Sequence, residues 1–128
     1  MPFGLGHFQG FTTFFGFAPD FTSGALAING DDAVELFCDG EVIDVFGDIN
    51  TDGTGQPWEY MDGWAYRVNG SAENEGSFDV TNWFFSGKNA LDGSSNNATA
   101  NTPFPIASYS NEGEVEPEPD LLGQCADE

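Results

Sequence analysis

The sequence predicts an all-β fold, a sandwich or barrel of short strands. Runs of β-forming residues recur between turn signals rich in Gly, Asn, Asp and Pro; two such runs flank an Asp-Gly dipeptide; and no amphipathic helical period stands out. A chain of 128 residues suffices for one core, and a domain of that size buries roughly two thirds of its unfolded surface. Thirteen Phe and three Trp supply the bulky apolar groups for it. No internal repeat is evident.

Residues 3–21, "FGLGHFQGFTTFFGFAPDF", mix Phe with Gly and read as short extended pieces broken at Gly, ending in a turn at Pro19-Asp20. Residues 33–46, "AVELFCDGEVIDVF", give the clearest local signal, a hairpin turning at Asp39-Gly40 through a type I′ loop. The turn sets Cys38 opposite Glu41, Phe37 opposite Val42, Leu36 opposite Ile43, Glu35 opposite Asp44 and Val34 opposite Val45. Strand alternation then puts Val34, Leu36, Ile43 and Val45 on one core face. On the other face Glu35 opposes Asp44, a like-charge pair that needs a cation or screening by water. Arg67 is the candidate cation, and water on an exposed face is the simpler expectation.

Further along, "GWAYRV" (63–68) alternates as a strand, with Trp64 and Tyr66 directed to the core, and "VNGSAENEG" (68–76) is a polar loop. "FDVTNWFF" (78–85) is another strand, "DGSSNNATANT" (92–102) a loop, and "PFPIASY" (103–109) a last strand whose prolines suit an edge. From Asn111 the chain is acidic and Pro-containing, which reads as a disordered, solvated tail over 111–128.

The run "NGDDAVEL", the Asp-Gly hairpin, "VIDVFG" and the following "WAYR" resemble the lamin tail domain, in its bacterial extracellular form. "NW.FSG.NALDG" with "TPFPI.SY", residues 82–109, is similar to the closing region of the same group. Together these matches span residues 25–110. The resemblance implies an immunoglobulin-like β-sandwich that is not an enzyme. It also implies an extracellular or cell-surface binding or spacer module, such as those appended to secreted proteins. The alternatives are an accessory fragment of a secreted hydrolase, such as an extracellular nuclease, and a lectin-like module. The family places several strands, with a pattern like "YIEIYN", before "NGDDA". Here the Phe/Gly-rich segment 1–24 stands in their place, so the chain reads as truncated at its N-terminus.

Charge narrows the partners. Two basic residues, Arg67 and Lys88, stand against 22 acidic ones, for a formal charge of -20. Binding to nucleic acid or anionic lipid needs clustered Lys and Arg, so neither is expected of this chain alone. Calcium or other cations are the natural partners, and solubility in a salty medium is the plain alternative. No stretch has the roughly 20 apolar residues of a membrane span. The N-terminus carries no leader pattern, which suits a cytosolic chain or a piece of a longer secreted one. Cys38 and Cys125 are the only cysteines and can pair in an oxidising compartment.

Residues 48–59 match the spacing of a calcium loop, D-x-[DN]-x-[DN]-G-x5-E, through Asp48, Asn50, Asp52, Gly53 and Glu59. Calcium takes carboxylate, amide and carbonyl oxygens, so the candidate ligands are Asp48, Asn50, Asp52, the Thr54 carbonyl, a water near Gln56, and Glu59. Gly53 would permit the sharp turn. Asp48, Asn50 and Asp52 are favoured over Glu59, for which Asp62 is a substitute. Asp, Asn and Gly are equally what a plain turn prefers, and Gln56-Pro57 sits where a helix normally resumes. Asn29, Asp31 and Asp32 form a second acidic turn, best read as the entry to the hairpin, with a second cation site as the alternative. His7 has no nucleophile spaced to use it, and no pair among the 22 acids is singled out for glycoside hydrolysis. Trp58, Tyr60, Trp64 and Trp83 are candidates for a sugar platform led by Trp58 in an exposed loop, although core packing is their commoner use. Asn69 and Asn97 head glycosylation sequons.

Overall fold

The computed structural model describes residues 5–110, with side chains from Gly10 onward. The elements are α1 (Leu5–Phe15), β1 (Val34–Cys38), β2 (Glu41–Phe46), β3 (Ala65–Arg67) and β4 (Trp83–Phe85). Single-turn 3₁₀ helices lie at Gly24–Leu26, Val80–Asn82 and Asn97–Thr99. The strands form two antiparallel ribbons, β1 with β2 and β3 with β4. The tail expected over 111–128 lies outside the described residues.

Helix α1 overturns the expectation of extended pieces. Leu5, Phe8, Phe11 and Phe15 recur every three or four residues, a helical stripe that Gly6 and Gly10 obscure in the sequence. The Phe11 and Phe15 rings, one turn apart, meet at 4.7 Å. Gly16 closes the helix in the left-handed region at φ 85°, its N–H donating to the Thr12 carbonyl at 2.8 Å. The glycine that reads as a break is the helix stop.

The hairpin turn forms as expected, with Asp39 at φ 50° and Gly40 at φ 83°. Cys38 pairs with Glu41 and Phe37 with Val42, but beyond them the register is one residue off the expectation. Leu36 faces Asp44, Glu35 faces Val45 and Val34 faces Phe46, leaving Ile43 as the extra residue of a bulge. A turn fixes only the pairs beside it. Glu35 and Asp44 are therefore never opposed, and the expected core face holds only in part: Val45 is buried at 5% exposure, as expected, while Leu36 is 47% exposed. Cys38 is buried and disulfide-bonded, and Cys125 lies outside the described residues.

The bulge lets neighbouring loops seal β2. Glu75 donates its N–H to the Ile43 carbonyl at 3.0 Å. The Asn74 side chain brackets Val45, donating to its carbonyl at 2.8 Å and accepting from its N–H at 3.0 Å. Asp44 pairs with Arg67 and accepts the Asn74 N–H at 3.2 Å. A protein cation, rather than water, answers the hairpin's negative charge.

Phe46 is the hub of the core. Its ring lies 5.0 Å from Trp83, 5.5 Å from Tyr60 and Phe78, and 6.2 Å from Trp58 and Phe85. Such ring pairs contribute about 0.5–1.5 kcal/mol each beyond area burial. Trp83 and Phe85 alternate toward this hub, while Phe84 between them is 58% exposed. Trp64 and Tyr66 do not join them, as the sequence had suggested. They occupy the opposite face and pack on Phe104, at 5.6 and 5.9 Å, and Phe104 in turn meets Phe15 of α1 at 6.3 Å. The β3–β4 ribbon thus lies between the hairpin and the N-terminal helix.

Two further expected strands are shortened or missing. Val80–Asn82 is a 3₁₀ turn, capped by the Asp79 carboxylate accepting the Thr81 N–H, so only Trp83–Phe85 is strand. Residues 103–109 form none: Pro103 and Pro105 lack N–H donors, and the Phe104 backbone is taken by a side chain. Asn97 donates to the Phe104 carbonyl at 2.9 Å and accepts its N–H at 2.8 Å. Asn97 is 6% exposed, which removes it as a glycan acceptor in the folded chain.

Candidate functional site

The two acidic turns, separate in sequence, line one cleft. Asp31 and Asp32 from the turn before β1 face Asp48, Asn50 and Asp52 from the loop after β2 across an open cavity of about 510 Å³. Strand pairing explains the meeting, because Val34 and Phe46 are partners and the segments flanking them leave the ribbon at the same end.

The turns are stitched together directly. Gly53 donates its N–H to the Asp31 carbonyl at 3.0 Å, and the Thr54 hydroxyl donates to the Asp31 carboxylate at 2.9 Å. The upstream turn is held from a third side, with Tyr60 donating its N–H to the Gly30 carbonyl at 2.8 Å and its hydroxyl to the Asp32 carbonyl at 3.0 Å. Asn29 donates its backbone N–H to Asp32 at 2.9 Å and turns its amide nitrogen toward both aspartates.

Within the downstream loop each aspartate caps a tight turn. Asp48 accepts the Asn50 N–H at 2.9 Å and the Thr51 hydroxyl at 2.8 Å, and these bonds hold its carboxyl below the usual range. Asp52 accepts the Thr54 N–H at 2.9 Å, with the same effect. Both are fully ionised at neutral pH and face open solvent. Opposite them, burial, then the Asp32 and Asp31 charges, push the Tyr60 hydroxyl up to about 12.

The remaining candidates fall elsewhere. The Glu59 carboxylate accepts the Gly55 N–H at 2.8 Å and lies 3.6 Å from Lys88, away from the cleft. Thr54 contributes its hydroxyl to Asp31 and does not line the cleft. Asp62 belongs to a different surface, on the rim of an apolar groove. Gly53 does not take the left-handed turn expected of a calcium loop; Gly55 does, at φ 76°. Gly53 is required for closeness, since a Cβ there would lie 2.5 Å from the Asp31 carbonyl and 2.6 Å from the Trp58 ring. Among the described residues no three His, Cys, Asp or Glu side chains stand close enough together to hold a metal ion.

Trp58, expected in an exposed loop, is 5% exposed and packs edge-on against Phe46, which removes the leading residue of a sugar platform. His7 lies in α1, with its side chain outside the described residues. Sequence reasoning missed the partnership of Asp31 with Gly53 and Thr54. The bond from Gly53 to Asp31 is tertiary, and nothing local to either turn announces it. Compared with known proteins, the chain matches no family model, no curated protein and no solved structure.

Proposed function

We propose that the chain is a non-catalytic binding or spacer module of the lamin-tail, immunoglobulin-like kind, acting outside the cell or on its surface and stiffened by calcium. The observation that carries the calcium reading is the convergence of Asp31, Asp32, Asp48, Asn50 and Asp52 on one open cleft. No three of these aspartates stand close enough together to grip one ion directly, so calcium would be held partly through waters bridging the two turns, and at −20 the chain gains from any cation that offsets its self-repulsion. On this reading the ligands come from two turns, and Glu59 and Thr54 stay with the partners they already have. The module reading rests on the β-rich architecture, in which short ribbons share an aromatic core and long loops meet solvent.

Thermal melting with calcium and with chelator tests it. A weak extracellular-type site would have a dissociation constant on the order of 10⁻⁴ to 10⁻³ M. Saturated at 100 times that constant, it should add about 2.7 kcal/mol of stability. Asp52→Asn and Asp31→Asn should each abolish the shift, and Glu59→Gln should leave it. Equal melting temperatures in calcium and chelator would end the calcium reading. A shift that survives Asp31→Asn but not Glu59→Gln would move the metal to the 48–59 loop alone.

A further inference from the structure

A second concavity lies against α1 and shares no lining residue with the acidic cleft. Phe11, Phe14 and Phe15 of α1, with Phe21 and Leu26, form one wall, and Leu91 stands opposite, around a groove of about 620 Å³. That volume suits a drug-sized group or two or three peptide side chains. Its apolar sides are in water: Phe21 is 78% exposed and Leu26 45%. Isolated exposed apolar residues are ordinary, but several gathered in one concavity mark an interaction surface.

The walls are fixed in advance. Gly16 caps α1, and the far wall is tied down by Leu91 donating to the Asp62 carbonyl at 2.8 Å and Asn89 to the Met61 carbonyl at 2.9 Å. Asp62 itself sits in the left-handed region at φ 48°, which fixes the direction of the chain at the groove's edge. Asp62 and Asp92, both exposed, place carboxylates at the groove's edge, and no Lys or Arg lines it.

Charge selects the occupant. A second copy would bring another −20, and the two basic side chains of the chain are already engaged, Arg67 with Asp44 and Lys88 with Glu59. Anionic lipid and nucleic acid are repelled for the same reason. We propose that the groove receives a short basic segment of a partner protein, which seats apolar side chains against the phenylalanines and sets Lys or Arg beside Asp62 and Asp92. This deepens the binding-module reading by naming the partner's chemistry, and it is independent of calcium in the cleft.

The test titrates the full chain with a fluorescently labelled peptide of alternating leucine and lysine, read by anisotropy, beside two controls. One control has glutamate for lysine, the other alanine for leucine. The leucine-lysine peptide should bind and both controls should fail. Asp62→Asn combined with Asp92→Asn should weaken binding about tenfold, the equivalent of roughly 1.4 kcal/mol. Glu41→Gln with Glu75→Gln removes as much charge from exposed positions that line neither cavity and should leave binding unchanged. Phe21→Ser should also weaken it, and because that side chain is exposed the fold should survive; were it to unfold, the carboxylate pair decides alone. Equal binding of the alanine peptide would overturn the proposal, as would equal loss in the Glu41→Gln, Glu75→Gln variant, since either reduces the effect to bulk charge. Octylammonium binding as tightly as the peptide would make this a small-molecule site, and sedimentation showing a dimer blocked by Phe21→Ser would make it a self-contact. Either result also overturns it. The calcium-dependent melt reads separately, so failure here leaves that reading standing.

Discussion

Asp44 on β2 holds Arg67 on β3, and this ion pair joins the two ribbons beside their shared aromatic core. The guanidinium is committed on three sides: it also donates to the Ala72 carbonyl at 2.6 Å and lies 4.5 Å over the Trp83 ring. With the side chains only 16% and 23% exposed, solvent screens the pair incompletely.

Arg67→Lys should therefore not be conservative. Lysine keeps the charge but loses the planar fork and most of the stacking, at about 1–2 kcal/mol. Arg67→Met leaves Asp44 half-buried and unpaired, at roughly 2–3 kcal/mol, short of the 3–5 typical of a fully buried pair. Urea unfolding midpoints at constant slope measure both. A loss for Arg67→Met no larger than for Arg67→Lys would return the pair to the water-screened face that the sequence suggested.

Gly53→Ala and Gly55→Ala separate two meanings of a loop glycine. At Gly53 the added methyl would press into the Asp31 carbonyl and the Trp58 ring, so backbone and indole must shift, at about 1–3 kcal/mol. At Gly55 space is open, and the cost is the left-handed φ of 76°, about 1 kcal/mol. Only Gly53→Ala should red-shift the emission of the buried Trp58 and disturb the cleft. If Gly55→Ala proves the more damaging, the close approach of Trp58 is not what fixes that loop.

How far the sequence could be read followed the range of each interaction. The Asp39-Gly40 reversal, the alternation through Ala65–Arg67 and the cap at Asp79 are settled within a few residues, and the first two were legible. The bulge at Ile43 was not, because it depends on Asn74, Glu75 and Arg67, which come 24 to 32 residues later. Trp58 read as exposed because its loop is polar on both sides, whereas Phe46 and Gly53 bury it from a distance. Helix α1 was hidden by glycines whose propensity cost is offset by packing of Phe15 on Phe104. Half of the cleft was visible as the Asp48–Asp52 spacing, and the other half became so only once Val34 was paired with Phe46.

Two asparagines act as substitute strands. Asn74 and Asn97 each use one side-chain amide to satisfy both backbone groups of a distant residue, Val45 and Phe104. Asn74→Ala should orphan the Val45 carbonyl and leave its N–H only the Asp44 carboxylate at 3.1 Å, at about 1–3 kcal/mol, and accelerate exchange of the Val45 amide hydrogen. Asn74→Asp keeps the acceptor, loses the donor and adds a negative charge beside Asp44, so it should cost more than alanine. If aspartate is tolerated better, the Val45 carbonyl does not need its partner.

Tyr60 reports on the acidic turn from inside the fold. Burial, followed by the Asp32 and Asp31 charges, raises its hydroxyl from 10.0 to about 12, against the opposing effect of its bond to the Asp32 carbonyl. Between those values the folded chain holds a proton that the unfolded chain has released, so this contribution to stability is complete below pH 10 and falls as pH rises through the window. Spectrophotometric titration should show a late tyrosine component, and Tyr60→Phe should remove it. Asp32→Asn should bring the midpoint down, because it deletes the charge and leaves the burial. Calcium seated between Asp31, Asp32 and the 48–52 loop would neutralise the same field, so saturating calcium should lower the Tyr60 midpoint in the wild type and have no further effect in Asp32→Asn. A midpoint indifferent to calcium would mean that whatever stability the ion confers comes from somewhere other than this cleft.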